Sequence, residues 1–509
     1  MCTSPPVRTL VSRGVVRIKE SPLAFDKIRQ GLKNVVLKGA LKHVPDSTIA
    51  KVTGDLYPYK DTATYRRLPA EPLDRAAILS EIAGMAHSED ARGDKGTVSG
   101  SLYCGDHDHY HFLGEVFDQF SHANVLQRDM YPSATKFEGE IIAMASDLLH
   151  GTGVGVVTSG GTESLITALY SYRELARAKR GVTRPNVVMP VTAHVALDKG
   201  AHWMDIEVRK TPLTDRYVAD VAAMAARIDD QTIALAASAG DYAHGLVDPI
   251  AEIGALAQSH DIGLHVDGCL GGWLLPWVER LGYDVPLWDF RAPGVTSISA
   301  DTHKYGYALK GSSVLLYRDQ DTRQQQYFAY PDWPGGLYLS PGFAGSRSGG
   351  ILASTWAALL VTGESGYLAA ADAIMRTATT IRDGVRAIPE LEVMGDPLFL
   401  VAFKSAGDLD IYLVNDALIA QGWRMNALQF PPALHFCITR PNTAPGVAEA
   451  FLEALHGAVD HAKRHKGEAA KSGAVYGFGG NPKGNGLVTS VMFKVLDAMH
   501  AVAPGGKAS

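Results

Sequence analysis

The sequence is poor in several features that would assign it to a special class. It has four cysteines, Cys2, Cys104, Cys269 and Cys437, far apart and with no C-x-x-C pair. That excludes a zinc ribbon, a paired-thiol redox motif and a disulfide framework, and it fits a reducing compartment. No apolar run reaches the ~18 residues of a membrane span. The start, MCTSPPVRTLVSRGVVRIKE, lacks a secretory apolar core, and its Arg8, Arg13, Arg17 and Lys19 read as a solvated basic segment. A soluble, cytoplasmic protein with no transmembrane segment is expected. Positive charge is not in surplus: 48 Lys and Arg stand against 54 Asp and Glu, a net charge of −6, so no nucleic-acid partner is expected. Apolar residues are not scarce, at 46%, which excludes a disordered chain. Glycine is the residue in excess: 52 of 509, against a usual ~7%, with no collagen-like period.

Most of the chain alternates short apolar runs with helical patterns. Strands are expected at Gly153–Thr158, Asn186–Pro190, Ile206–Leu213, Thr232–Ala237, Ile262–Asp267, Val295–Ser299 and Ser312–Tyr317. Helices are expected between them, at Glu163–Arg180, Ala193–Met204, Asp220–Ile228 and Pro249–Ser259. This alternation predicts an α/β fold with a mostly parallel sheet covered by helices on both faces. Past residue 366 the glycines thin and strands are expected at Leu398–Phe403 and Leu434–Thr439, a smaller C-terminal α/β domain. The expected organisation is an N-terminal segment, 1–60, a large domain, 61–365, and a small domain, 366–509. Gly467–Gly486 and Ala503–Ser509 read as mobile Gly/Lys-rich loops.

Three motifs carry chemistry. Thr158-Ser159-Gly160-Gly161-Thr162-Glu163-Ser164 joins a buried strand to an amphipathic helix. Glycines allow close backbone approach, and the unpaired N–H groups opening the helix attract an anion, with Thr162 and Ser164 adding hydroxyls. It lacks the Gly-Lys-Ser/Thr of a nucleoside-triphosphate loop, and an ordinary glycine turn is the bland alternative. Asp267, in His265-Val266-Asp267-Gly268-Cys269, ends a strand at the rim where open α/β sheets bind ligands; alone it reads equally as a turn aspartate. Lys304, directly after His303 in the run Ser299–Gly311, is placed where burial would neutralise it into a nucleophile toward carbonyls; its bland reading is a surface lysine. A phosphate cradle, an aspartate and a lysine in this order match pyridoxal 5'-phosphate: phosphate anchored, ring nitrogen kept protonated, aldehyde held as a Schiff base.

On these motifs the sequence resembles the fold-type-I pyridoxal-phosphate enzymes, and more narrowly the sphingosine-1-phosphate lyase family in its soluble, bacterial form. Val98–Tyr103, Thr158–Ser164, TAHVALDKGAHW, His265–Gly272, VTSISADTHKYGYALKGSSVLLYRD, Ala344–Arg347 and LQFPPALHFCIT carry the resemblance from about residue 95 to about 490. The resemblance implies that Lys304 holds the cofactor, Asp267 faces the ring nitrogen, His194 stacks on the ring, and Gly161, Thr162, Thr302 and His303 lie at the cofactor. It implies that Gly345 and Ser346 reach the cofactor phosphate of a neighbouring subunit, hence a homodimer with shared active sites. It further implies that Tyr103, Tyr242 and Lys310 line the region of the substrate phosphate and hydroxyl. The implied reaction is retro-aldol cleavage of a phosphorylated sphingoid base to a long-chain aldehyde and phosphoethanolamine. The alternative is a group II amino-acid decarboxylase on the same cofactor; a non-catalytic protein is disfavoured because Lys304 and Asp267 are both present.

The sequence departs from the family pattern in places. Gln127 stands where a histidine helps to hold the substrate phosphate, Leu309 and Ser348 stand where prolines are usual, and Asp241 adds a carboxylate that would oppose a phosphate dianion at short range. His107, His109 and His111 would share one face of an extended strand, as metal ligands do, but they read as a polar entrance, and no metal is expected.

Overall fold

The computed structural model describes residues 64–472 and 485–500. The basic start, the 1–60 segment and Ala503–Ser509 lie outside the described residues, as does most of Gly467–Gly486. The chain divides into two units. Ala70–Arg464 holds every strand described below. Residues 1–69 and 465–509 form the other, whose regular described element is the helix Asn485–Met499.

Seven strands form the central sheet: β1 (Val154–Thr158), β2 (Asn186–Pro190), β3 (Glu207–Thr211), β4 (Thr232–Ser238), β5 (Gly263–Asp267), β6 (Ser297–Ala300) and β7 (Ser313–Tyr317), in the order β1-β7-β6-β5-β4-β2-β3. Only β7 runs against its neighbours, β1 and β6. β2 and β4 are buried at every residue, because helices cover both faces, so their sequences are near-continuous apolar runs. The helix Gly161–Arg180 shows how the crossovers are specified. Leu165, Leu169, Tyr172 and Ala176 recur at helical spacing and are buried against the sheet. Arg177, Lys179 and Arg180 sit in the last turn, where the dipole favours cations, and Gly181 ends the helix at φ 65 in the left-handed region.

A second sheet, antiparallel, contains β10 (Leu391–Val393), β11 (Leu400–Ser405), β12 (Asn426–Leu428) and β13 (Ala433–Cys437), in the order β10-β11-β13-β12. The hairpin β8 (Phe328–Tyr330) and β9 (Tyr338–Ser340) stands apart from both sheets. The helical stretch Gly349–Arg386 breaks at Gly363, φ 58 and ψ 172; the 365/366 boundary read from composition falls just past this break. The histidine run is not extended: His107–Gln119 is a helix capped by Asp106, so His109 faces away from His107 and His111. Among the described residues no helix is long and apolar enough to cross a membrane.

Candidate active site

β1, β2, β4, β5 and β6 all end on one edge of the sheet, and the chemical side chains follow those ends. β1 leads into Gly160–Ser164, β2 into His194, and β4 into the turn carrying Tyr242. β5 ends on Asp267, and β6 leads into Asp301–Lys304.

Lys304 is the centre. Its side chain is 25% exposed and its Nζ lies 2.9 Å from Asp301 Oδ2. Burial alone would lower its pKa, but the Asp301 carboxylate outweighs it and raises it above the usual lysine range. Burial, expected to neutralise Lys304, is opposed here by the Asp301 carboxylate. Sequence reading did not single out Asp301, although a carboxylate three residues before the lysine was the available signal. Asp301 is 3% exposed and its Oδ1 is buried without a hydrogen-bond partner.

The cradle abuts this pair. A Cβ added to Gly161 would lie 2.7 Å from Cys269 Sγ and 2.8 Å from both Asp301 carboxylate oxygens. Only glycine fits there, so the backbone that opens the helix comes close to the ligand edge. His303 Cε1 would lie 3.5 Å from a Cβ on Gly160, which puts the imidazole beside the cradle; its Nδ1 meets Ser312 O at 2.6 Å. Thr162 is exposed at the first helical turn. Two expected hydroxyls are engaged elsewhere. Ser164 Oγ is fully buried against Thr158 Oγ1 at 2.7 Å and Ser313 Oγ at 3.0 Å, and Thr302 Oγ1 donates to Ser312 Oγ at 2.7 Å. Gly161→Ala is expected to leave a folded protein that purifies with little cofactor, measured as the ratio of cofactor to protein absorbance.

Asp267 is buried, with Oδ1 accepting from Cys269 N at 3.0 Å and from Ser299 Oγ at 3.4 Å. These two bonds fix the carboxylate at the end of β5, in a low-polarity setting where it holds a positive partner strongly. His194 caps the helix Val195–Trp203: its Nδ1 accepts from Ala196 N at 3.1 Å, which leaves Nε2 as the protonated nitrogen of the neutral ring. Tyr242 stands edge-on to His194 at 6.4 Å and to His435 at 5.1 Å.

Tyr103 and Lys310 complete the group. Tyr103 packs edge-on to Tyr305 at 5.0 Å, and Lys310 Nζ lies 4.8 Å from the Tyr103 ring centre. Burial, then the Cys437 thiol, raises the Tyr103 phenol well above its usual range, so it acts as a neutral donor. Partial burial, and next the charge of Lys304, push Lys310 down to about 8. The segment bearing Tyr103 is stitched to β13: Gly100 N donates to Cys437 O at 2.9 Å, and Cys437 N donates to Ser99 Oγ at 2.9 Å. The second sheet therefore positions a residue more than 300 places away in sequence.

Asp241 does not face this space. Its carboxylate is 3% exposed and accepts from the N–H groups of Ala243, His244 and Leu246 at 2.9–3.0 Å, so it builds the turn that presents Tyr242. Gln127, Gly345 and Ser346 gather in a second group. Asn124 Nδ2 donates to Ser346 Oγ at 3.0 Å, Val125 N donates to Arg347 O at 3.0 Å, and Ser346 and Gln127 are exposed.

The buried donors and acceptors fit pyridoxal phosphate on this chain's own features: a glycine cradle for an anion, a rigid buried carboxylate, and a lysine beside an unpartnered carboxylate oxygen. Comparison with known proteins agrees. Residues 95–406 match the pyridoxal-dependent decarboxylase conserved domain. The chain is 39% identical over 437 residues to the sphingosine-1-phosphate lyase of Dictyostelium discoideum, covering 85% of this chain and 82% of that one. It is 49% identical to a solved sphingosine-1-phosphate lyase of Burkholderia pseudomallei, with a TM-score of 0.79, covering 81% of this chain and 96% of that one. A glutamate decarboxylase of Lactobacillus brevis, 20% identical with a TM-score of 0.67 over 82% of this chain and 98% of that one, shares the fold. The chain belongs to the sphingosine-1-phosphate lyase family of the pyridoxal-dependent decarboxylases.

Proposed function

We propose that this enzyme cleaves phosphorylated sphingoid bases between C2 and C3, releasing a long-chain aldehyde and phosphoethanolamine. The observation that carries the reading is the grouping of Lys304, Asp301, Tyr103 and Lys310 beside the glycine cradle, in a chain of the lyase family. Bound pyridoxal phosphate supplies an aldehyde for the substrate amine and an electron sink for the electrons left at C2.

The residues divide the remaining work. The N–H groups at Gly161 and Thr162, with His303, would hold the cofactor phosphate, and His194 would take the face of the ring. Asp267 keeps a proton on the ring nitrogen. Lys304 would be the point of attachment, and Asp301, 2.9 Å away, holds its amine in place. Tyr103 donates a hydrogen bond to substrate oxygen, and Tyr242 closes the far side of the pocket. Of Lys310, Tyr242 and His194, the candidates for the base that takes the C3 hydroxyl proton, Lys310 is committed as a cation, so the base comes from Tyr242 or His194. When the C2–C3 bond breaks, the hydroxyl carbon becomes the aldehyde and C2 is reprotonated, so the proton count closes.

Lys310 provides the charge for the substrate phosphate, a role made heavier because Gln127 carries none. With its pKa at about 8, Lys310 is charged below that pH and loses charge above it. kcat/KM for a phosphorylated base is therefore expected to fall as pH rises through about 8, and Lys310→Arg to remove that limb because a guanidinium stays protonated. The phosphorylated base should be preferred over the free base by roughly tenfold to a hundredfold in kcat/KM, the worth of a charge-assisted hydrogen bond. Equal values for the two would remove phosphate recognition from the proposal.

A homodimer with shared sites belongs to the same proposal. It is supported by the exposure of Ser346 and of the neighbouring hairpin, where Phe328, Trp333, Leu337 and Leu339 are 51–80% exposed, an apolar patch that calls for a partner surface. A cytoplasmic location is supported by the free thiols of Cys104, Cys269 and Cys437.

A further inference from the structure

Glu138, on the helix Ser133–Leu148, is a buried carboxylate that none of the roles above uses; its side chain is 7% exposed. Its partners come from three distant segments. Oε1 accepts from Val157 N at 3.0 Å and from Arg347 Nη1 at 3.3 Å. Oε2 accepts from Arg347 Nη2 at 3.3 Å and from Arg128 Nη2. Arg347 Nη1 also donates to Val157 O at 2.8 Å, so carboxylate and guanidinium grip both backbone groups of one β1 residue. Burial opposes the charge on Glu138, but Arg347 and Arg128 outweigh it and hold the carboxyl below its usual range.

Each partner adjoins a residue assigned to ligand binding. Val157 precedes the Thr158–Ser164 cradle, Arg347 follows Ser346, and Arg128 follows Gln127. The last two segments are also laced together directly, through Gly349 N to Ala123 O at 2.8 Å, Val125 N to Arg347 O at 3.0 Å and Asn124 Nδ2 to Ser346 Oγ at 3.0 Å. An ion pair that served stability alone has no need to meet at the one point where these three segments come together.

We propose that Glu138 is a positioning residue that sets the cradle, the Gly345–Ser346 loop and the Gln127 segment in one register, so that it governs the affinity for both phosphates, that of the cofactor and that of the substrate. The inference rests on the site assignments proposed above. The test uses the 509-residue chain carrying Glu138→Gln, which keeps size and an acceptor but removes the charge. The cofactor is stripped and returned by titration with pyridoxal phosphate, followed by absorbance; KM and kcat are then measured on a phosphorylated sphingoid base. The dissociation constant for the cofactor and KM are each expected to rise roughly tenfold or more, the worth of lost hydrogen bonds to a charged group, with kcat within about threefold of the parent. Glu140→Gln, on the same helix but paired with Lys136 and Trp356 at the surface, should change neither constant. A lowered thermal midpoint with both constants unmoved would overturn the proposal, as would equal effects from Glu140→Gln. If Glu138→Gln does not fold, Arg347→Lys, which keeps the charge but loses the paired grip, is read by the same criteria. The cofactor titration needs no substrate. Failure of the parent enzyme to cleave sphingoid bases would therefore count against the proposed reaction, while the titration alone would still decide the role of Glu138.

Discussion

Lys304→Ala is expected to lose the borohydride-reducible cofactor absorbance altogether and to lower kcat by roughly 10⁴-fold or more, the scale seen when a covalent catalyst is removed. Two lysines stand close enough to compete for the assignment, and the structure separates them by environment. Lys304 is mostly buried and paired with Asp301 at 2.9 Å, against the cradle; Lys310 is the more exposed of the two, its amine over the Tyr103 ring and only partly desolvated. A residue that attaches the cofactor must be held within reach of it, which Asp301 does for Lys304. Lys310→Met should therefore retain the absorbance while losing activity on the phosphorylated substrate. Persistent reducible absorbance in Lys304→Ala would move the attachment point and with it the roles given to Asp301 and Lys310.

Asp267→Asn is expected to lower kcat by roughly 10²–10³-fold, the usual result of removing one preorganised electrostatic partner from a buried site. The amide can still accept from Cys269 N and Ser299 Oγ, so the end of β5 keeps its shape and the cofactor stays attached through Lys304. What is lost is the charge that keeps the ring nitrogen protonated, and with it the electron sink. The check is kcat beside the absorbance spectrum of the bound cofactor. A spectrum like the parent's, with kcat within about threefold of it, would show that Asp267 does not face the ring nitrogen.

Much of the architecture was legible because it repeats a simple rule. β1, β2, β4 and β5 are each a short apolar run followed by a helical period, and the strand read as Asn186–Pro190 has those bounds in the structure. The site left a signal in the sequence where a residue's chemistry and its position after a strand coincide, and Gly161, Asp267 and Lys304 do lie at or just after the ends of β1, β5 and β6. It was not legible where a side chain turns its polarity to its own surroundings. Ser164 and Thr302 carry the hydroxyls a phosphate would use, yet both are satisfied by neighbouring hydroxyls, a pairing set by strand register. Asp241 resembled an opposing charge and proved to be the anchor of its turn, because three backbone N–H groups converge on it. The charge state of Lys304 depended on Asp301, and Glu138 depended on contacts from segments up to 209 residues away; periodicity does not encode either. The histidine run illustrates the same limit. Asp106 caps a helix there, and a helix replaces the extended strand on which the three rings would have shared a face.

The proposed chemistry breaks a carbon–carbon bond inside a phosphorylated base and not a bond to a carboxylate. Product identity separates the two. The purified holoenzyme is incubated with a phosphorylated sphingoid base and, separately, with amino acids, while long-chain aldehyde, phosphoethanolamine and carbon dioxide are followed together. Equal molar amounts of aldehyde and phosphoethanolamine are expected from the phosphorylated base, and no carbon dioxide from the amino acids. Release of carbon dioxide from an amino acid, with no aldehyde from the phosphorylated base, would contradict the proposed reaction.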